Sequence, residues 1–170
     1  MKIAIITPVF PPTPGGIGMV AYRQAQGLAA RGHQVRVFTP SRGKSLCSFN
    51  DFPRLQHLSP ILRYRYAAFV PQLLWHLRGG KFDVVHLHYP FFGAAELFLF
   101  HKLFAISYKL VITYHHDVNG EGLFKRVFAF HTKYIMPRIL RKAHVVLVSS
   151  LDYAKASYLS SYHHINLPPI

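Results

Sequence analysis

The chain has a single cysteine, six acidic residues in 170 and no uninterrupted apolar run long enough to cross a bilayer. The lone Cys47 excludes an internal disulfide and any CxxC or Cys/His zinc spacing, which suits a reducing compartment. The opening Ile3-Ala4-Ile5-Ile6 is halted by Thr7-Pro8, too short for the core of a signal peptide. The most membrane-like stretch, Phe91 to Tyr108, is broken by Glu96, His101 and Lys102. It falls short of the roughly 18 uninterrupted apolar residues that a spanning helix needs. A cytoplasmic protein without a transmembrane helix is therefore expected. The scarcity of acids also leaves 20 Lys and Arg unbalanced, for a formal charge of +14. That excess points to phosphate-bearing partners: nucleic acid, an anionic leaflet or a phosphorylated substrate.

What is present suits one core. Half the residues are apolar, and the length fits a single domain over 1-170. β-Branched segments recur at Lys2 to Thr7, Gln34 to Thr39, Asp83 to His88, Leu110 to His115 and Ala143 to Ser149, with helical patterns between them. Near-continuous apolar runs such as Val145-Val146-Leu147-Val148 predict strands covered on both faces, as in a parallel α/β sheet. A first helix is expected from Ile17 to Arg31, with Gly32 as a left-handed cap. Pro71 should start or kink a second helix that ends at Gly79-Gly80. Phe92 to Tyr108, Leu123 to Leu140 and Asp152 to Ser161 are the remaining helical candidates, and the tail His163 to Ile170 predicts an edge strand entering a linker.

Ligands on parallel sheets gather outside the carboxyl ends of the strands, which selects the loops Pro8 to Gly16, Tyr89 to Gly93 and His116 to Gly122. In the first, Pro11-Pro12-Thr13-Pro14-Gly15-Gly16 stiffens a turn and ends in glycines at a helix start, where exposed amides favour a phosphate. The spacing is neither a dinucleotide fingerprint nor a P-loop, and a tight turn that binds nothing has the same appearance. After the fourth strand, Thr113-Tyr114-His115-His116-Asp117 places polar groups where burial is costly unless they are exposed or paired. His115 can bond a sugar hydroxyl or a phosphate, and Asp117 can orient an imidazole or accept from a hydroxyl.

His86 and His88 alternate along one strand and so share a face, an HxH that His115, His116 and Asp117 could complete as a metal site. Such a centre would make the protein a metal-dependent hydrolase or deacetylase. Six acids are a poor carboxylate supply, and a strand histidine is more often a satisfied core residue, so no metal ligands are assigned. Arg54 to Arg78 interleaves basic and aromatic residues, including Arg63-Tyr64-Arg65-Tyr66 and Trp75, as in an amphipathic helix lying on an anionic membrane. A basic, non-enzymatic nucleic-acid-binding module is the other alternative. No recognised nucleic-acid motif accompanies the charge, and most aromatics fall in core-like runs.

Taken together, several segments resemble the N-terminal domain of retaining glycosyltransferase family 4 enzymes. They are Ile3 to Pro8 with Pro14-Gly15-Gly16, Leu28 to Val37, Phe82 to His88, Pro90-Phe91-Phe92-Gly93, Val111 to His115 and Ala143 to Ser150. The resemblance implies the GT-B architecture of two facing Rossmann-like domains, each a doubly wound parallel sheet with helices on both faces. It implies that this chain is the acceptor-side half, ending where a linker would lead to a C-terminal nucleotide-sugar-binding domain, and that the half alone is inactive. The implied reaction moves a sugar from a nucleoside diphosphate sugar to an acceptor hydroxyl with retention, using no cofactor and no obligatory metal. Gly15 and Gly16 would approach the donor diphosphate, His115 would lie beside the transferred sugar, and Tyr89, His116 and Asp117 would face sugar or acceptor. The basic aromatic surface adds a lipid-linked acceptor and peripheral attachment to the inner face of the plasma membrane.

Overall fold

Runs of β-branched residues form the strands, and each helix buries the stripe that faces them. The computed structural model describes residues 1–40, 54–64, 67–100, 107–118 and 122–161. In chain order the elements are β1 (Lys2–Ile6), α1 (Gly16–Ala30), β2 (Gln34–Pro40), β3 (Arg54–Leu58), β4 (Leu62–Tyr64), β5 (Ala67–Phe69), α2 (Gln72–Gly80) and β6 (Val84–Tyr89). A 3-10 turn at Ala95–Leu99 precedes β7 (Lys109–Tyr114), followed by α3 (Gly122–Phe130), a π turn at His131–Ile135, α4 (Met136–Leu140), β8 (Val145–Val148) and α5 (Leu151–Ala156). A last 3-10 turn covers Tyr158–Ser161.

The main sheet runs β3-β2-β1-β6-β7-β8 with all neighbours parallel, and β4 and β5 form a separate antiparallel hairpin. The strand order reverses between β1 and β6, the switch point at which doubly wound sheets open a crevice. Alternation along β1 divides the core: Ile3 and Ile5 pack with Ala21, Ala25, Val35 and Val37 under α1. Ala4 and Ile6 face the larger opposite cluster, which includes Leu73, Leu77, Ile112, Met136 and Ile139 from β7, α2 and α4. Helices thus cover both faces of a Rossmann-like sheet, as expected. At about 1.5–3 kcal/mol for each large aliphatic side chain buried, this two-sided packing is the main term opposing chain entropy.

The expected strands form within two residues of their predicted ends, and Gly32 takes the left-handed conformation, φ +81. Pro71 stands at the N-cap of α2, where its missing N–H does no harm.

Three expectations need correction. A further strand, β3, extends the β2 edge; its Arg54-Leu55-Gln56-His57-Leu58 is largely half-exposed and too polar to announce a strand. Arg54 to Arg78 is not one amphipathic helix, because Pro60 and Pro71 separate a strand, a hairpin and a short helix. Phe92 to Tyr108 holds only the 3-10 turn among its described residues, with Gly93 at φ +84 donating its N–H to Glu96 Oε2 at 2.5 Å. Leu123 to Leu140 is helical throughout, as expected, but carries a π turn at His131–Ile135. Pro137 has no N–H for the carbonyl four residues back, and the ladder slips just upstream of it. The expected tail strand and residues 101–106 lie outside the described residues.

Candidate functional site

At the carboxyl end of β1 the chain turns through Thr7, whose Oγ1 donates to Val9 O at 2.8 Å, and a 3.1 Å bond from Thr13 N to Phe10 O. The turn ends at Gly15, φ 156 and ψ 140, a conformation open essentially to glycine alone. Gly18, in the first turn of α1, lets the helix press on the loop, since a Cβ there would stand 3.0 Å from Val9 O. No side chain caps α1, and its first turn carries no acid. The leading amides and the positive end of the helix dipole are therefore left for a ligand. They border a cleft of about 330 Å³ lined by Val9, Gly15, Gly16, Ile17, Val20, His115 and His116.

His115 reaches this cleft from the end of β7. On the α1 side of the sheet, β6 presents His86 and His88, and β7 presents Thr113 and His115. His86 Nε2 lies 2.7 Å from Thr113 Oγ1, and His88 Nδ1 lies 2.9 Å from His115 Nε2. The three imidazoles stack, with ring centroids 4.8 Å and 5.2 Å apart. Burial, aided by repulsion from His115, lowers the His86 pKa to about 4. Burial, with repulsion from His86 and His115, holds His88 well below 6.5. His115 is lowered to about 4 by burial and by His116. His116 is lowered by burial, with Asp117 opposing. All three stacked rings are neutral near pH 7, so the histidine at the cleft is an uncharged donor or acceptor.

The opposite face of the same strand ends locks the loops. Tyr89 is buried and stacks on Tyr114, centroids 5.4 Å apart. Its hydroxyl lies 3.4 Å from His131 Nδ1, and His131 Nε2 meets Glu96 Oε1 at 2.5 Å. Tyr114 donates to Asp117 Oδ1 at 2.6 Å, and burial raises its pKa, with the bond to Asp117 adding to the shift. Asp117 N donates to Tyr153 Oη at 2.7 Å, and the Asp117 carboxylate also accepts from Tyr158 N.

Of the residues singled out in the sequence, Gly15, Gly16, His115 and His116 come together at the cleft. Tyr89 and Asp117 belong to the packed network behind it. Among the described residues, no group of His, Cys, Asp and Glu is arranged to hold a metal ion. Of the HxH imidazoles, His86 bonds Thr113 and His88 bonds His115. Glu96, His131 and Tyr153 were not legible as site-supporting residues, because the pairings Glu96–His131, Tyr153–Asp117 and His131–Tyr89 span 35 to 42 positions.

The fold is a Rossmann-like domain in which an uncapped helix terminus and the His115 ring border one cleft at the carboxyl ends of the strands. The model of glycosyltransferase family 4 matches residues 14–157, and the chain belongs to that family. It is 26% identical over 152 residues to the O-antigen chain mannosyltransferase C of Escherichia coli, covering 87% of this chain and 39% of that protein. Among solved structures, sucrose-phosphate synthase from Thermosynechococcus elongatus aligns with TM-score 0.63 at 16% identity, covering 99% of this chain and 47% of the other. A glycosyltransferase from Rickettsia africae gives TM-score 0.62 at 17% identity, covering 99% and 42%. An alpha-glucosyltransferase solved with UDP and a 13-mer DNA gives 0.60 at 14%, covering all of this chain and 42% of the other. The chain spans about two fifths of the length of the curated relative it matches.

Proposed function

We propose that this chain forms the acceptor-side wall of a retaining glycosyltransferase that moves a sugar from a nucleoside diphosphate sugar to an acceptor hydroxyl. The observation that carries the reading is the shared cleft: the uncapped amides of α1 after Gly15 and Gly16, opposite the His115 ring. Backbone dipoles aimed at a leaving diphosphate stabilise the charge that develops there without reorganisation. His115, neutral, offers a hydrogen bond to the transferred sugar or its phosphate, and His116 lines the same wall. Tyr89 and Asp117 act from behind, holding the β6 and β7 loops that meet the acceptor. The reaction requires no cofactor and no obligatory metal, and the wall that completes the cleft from outside this chain belongs to a C-terminal nucleotide-binding domain. UDP in one structural neighbour is in keeping with a nucleoside diphosphate donor.

The acceptor side suits a lipid-linked sugar handled at an anionic surface from the cytoplasm. Ile61, Leu62, Phe69 and Trp75 are exposed around the β4–β5 hairpin and α2, with Arg63 and Arg78 beside them. No helix among the described residues is long and apolar enough to cross a membrane. Peripheral attachment through such a patch needs none. The test of the reaction is transfer by the full-length enzyme carrying His115→Ala. The variant keeps its fold and loses most of its activity; wild-type rates would remove His115 from the site.

A further inference from the structure

Two neutral imidazoles that face each other across one hydrogen bond share one proton between the facing nitrogens, and the choice of donor fixes where the one remaining ring proton lies. His88 is the buried member, with no exposed surface, and its other nitrogen, Nε2, has no partner. His115 is half-buried and lines the cleft. If His115 donated from Nε2, the proton of His88 would have to sit on its own Nε2, an orphaned N–H sealed in the core. If His88 donates from Nδ1, its Nε2 is a bare lone pair. Orphaned buried N–H groups are rarer than under-satisfied acceptors, and a buried donor that bonds nothing loses its full solvation.

We propose that His88 is a positioning residue: it donates from Nδ1 to His115 Nε2, fixes His115 as the tautomer protonated on Nδ1, and so presents an N–H donor to the cleft. The inference rests on the transferase reading for its use and on the 2.9 Å contact and the burial of His88 for its content.

The groups around the pair leave the assignment in place. His86 is engaged with Thr113 Oγ1 and stacks on His88, so it holds that ring in plane without bonding its free nitrogen. The Asp117 carboxylate accepts from Tyr114 and Tyr158. His116, beside His115 in the chain, adds repulsion that helps keep His115 uncharged. The fold thereby overrides the Nε2-protonated tautomer that an isolated histidine side chain prefers in water. A donor of fixed direction and no charge suits a sugar hydroxyl or phosphate oxygen, because it needs no proton uptake before binding.

The test is ligand-free. Long-range 1H–15N correlation spectra of uniformly 15N-labelled protein at neutral pH separate protonated from bare ring nitrogens, with assignments from His86, His88 and His115 variants. The expected spectrum has His115 protonated on Nδ1 and bare on Nε2, and His88 likewise. A His115 ring protonated on Nε2 would overturn the proposal. His88→Leu is expected to release His115 toward the Nε2-protonated form, and His88→Asn, which restores an N–H near the Nδ1 position, to return it. Retention of the Nδ1-protonated form in His88→Leu would show that His88 does not set it. Should a variant fail to fold, the wild-type spectrum decides by itself. Transfer assays separate the two claims: full activity in His115→Ala refutes the catalytic reading and leaves the tautomer standing, whereas the wrong tautomer refutes only this inference.

Discussion

Mild acid should destabilise this domain through the same histidines that shape its cleft. In the folded chain burial and the neighbouring His115 lower the His86 pKa to about 4, against 6.5 for the ordinary side chain, and His88 lies well below 6.5. A histidine lowered on folding takes up its proton first in the unfolded chain. Its contribution is therefore whole above pH 6.5, declines as pH falls toward the folded value, and levels off below it. At about 1.4 kcal/mol per pH unit, moving from pH 7 to pH 5 removes about 2 kcal/mol through His86, and His88 acts in the same direction. His115 adds less, because its ring is partly solvated and its charge is screened. A loss of about 2 kcal/mol through His86 alone is already large beside the usual net stability of about 5–15 kcal/mol. Urea unfolding followed by far-UV circular dichroism at half-unit intervals between these pH values measures it, most carboxylates titrating below the window. His86→Leu should flatten the slope by about 1.4 kcal/mol per pH unit. A stability that stays level from pH 7 to pH 5, or an unchanged slope in that variant, would refute the argument.

Gly18→Ala should lower the unfolding free energy by about 1 kcal/mol or more despite the better helix former, because the new Cβ meets the backbone of Val9 and Phe10 at 3.0–3.3 Å. Gly16→Ala, with no atom within 4 Å, should leave stability unchanged or raised, and chemical denaturation of the pair compares them. Glu96→Gln weakens charge-assisted bonds to His131 and Gly93 N and should cost roughly 1.5–3 kcal/mol in the same assay; an unaltered midpoint would show that the carboxylate does not hold the β6 loop. Co-sedimentation with vesicles rich in anionic lipid should fall on replacing Leu62 and Trp75 with Ala and on raising salt, and binding indifferent to both would exclude the hairpin patch as the contact.

The strands were legible because their apolar runs are nearly continuous, and the glycine turn because proline and glycine restrict the backbone locally. His115 was legible as the polar residue that ends a buried strand. Arg54 to Arg78 was not, since a half-exposed edge strand and a hairpin expose the same mixture of basic and aromatic residues that an interfacial helix would. A continuous helix over Phe92 to Tyr108 was expected from apolar content, and the Glu96–Gly93 bond, which acts through backbone hydrogen bonding, decides otherwise among the described residues. The helix expected over Leu123 to Leu140 is present, and Pro137 leaves its mark as a π turn just upstream. The HxH of His86 and His88 was correctly placed on one face. The partner that gives it meaning, the next strand's Thr113 and His115, depends on the β6–β7 register, which pairs His88 with Thr113.

That register explains why a costly arrangement sits where it does. On the face opposite α1, the ends of β6 and β7 carry Tyr89 and Tyr114, whose hydroxyls lead to His131 and Asp117 and tie the β6 loop to the π turn and Asp117 to Tyr153 and Tyr158. On the α1 face, the same two strand ends carry the stacked histidines, three polar rings where aliphatic side chains would pack at lower cost. An apolar ladder there would make a more acid-resistant sheet and leave the cleft wall without a donor. Because the tyrosine face already fixes the loops, the histidine face is not needed to hold the fold together. Its polar groups are instead directed along the sheet from Thr113 and His86 through His88 to His115, toward the amides that follow Gly15. Stability given up on one face is thus matched by a pre-set hydrogen-bond donor at the switch-point cleft, which is where a strained or polar departure from good packing is expected in a functional site.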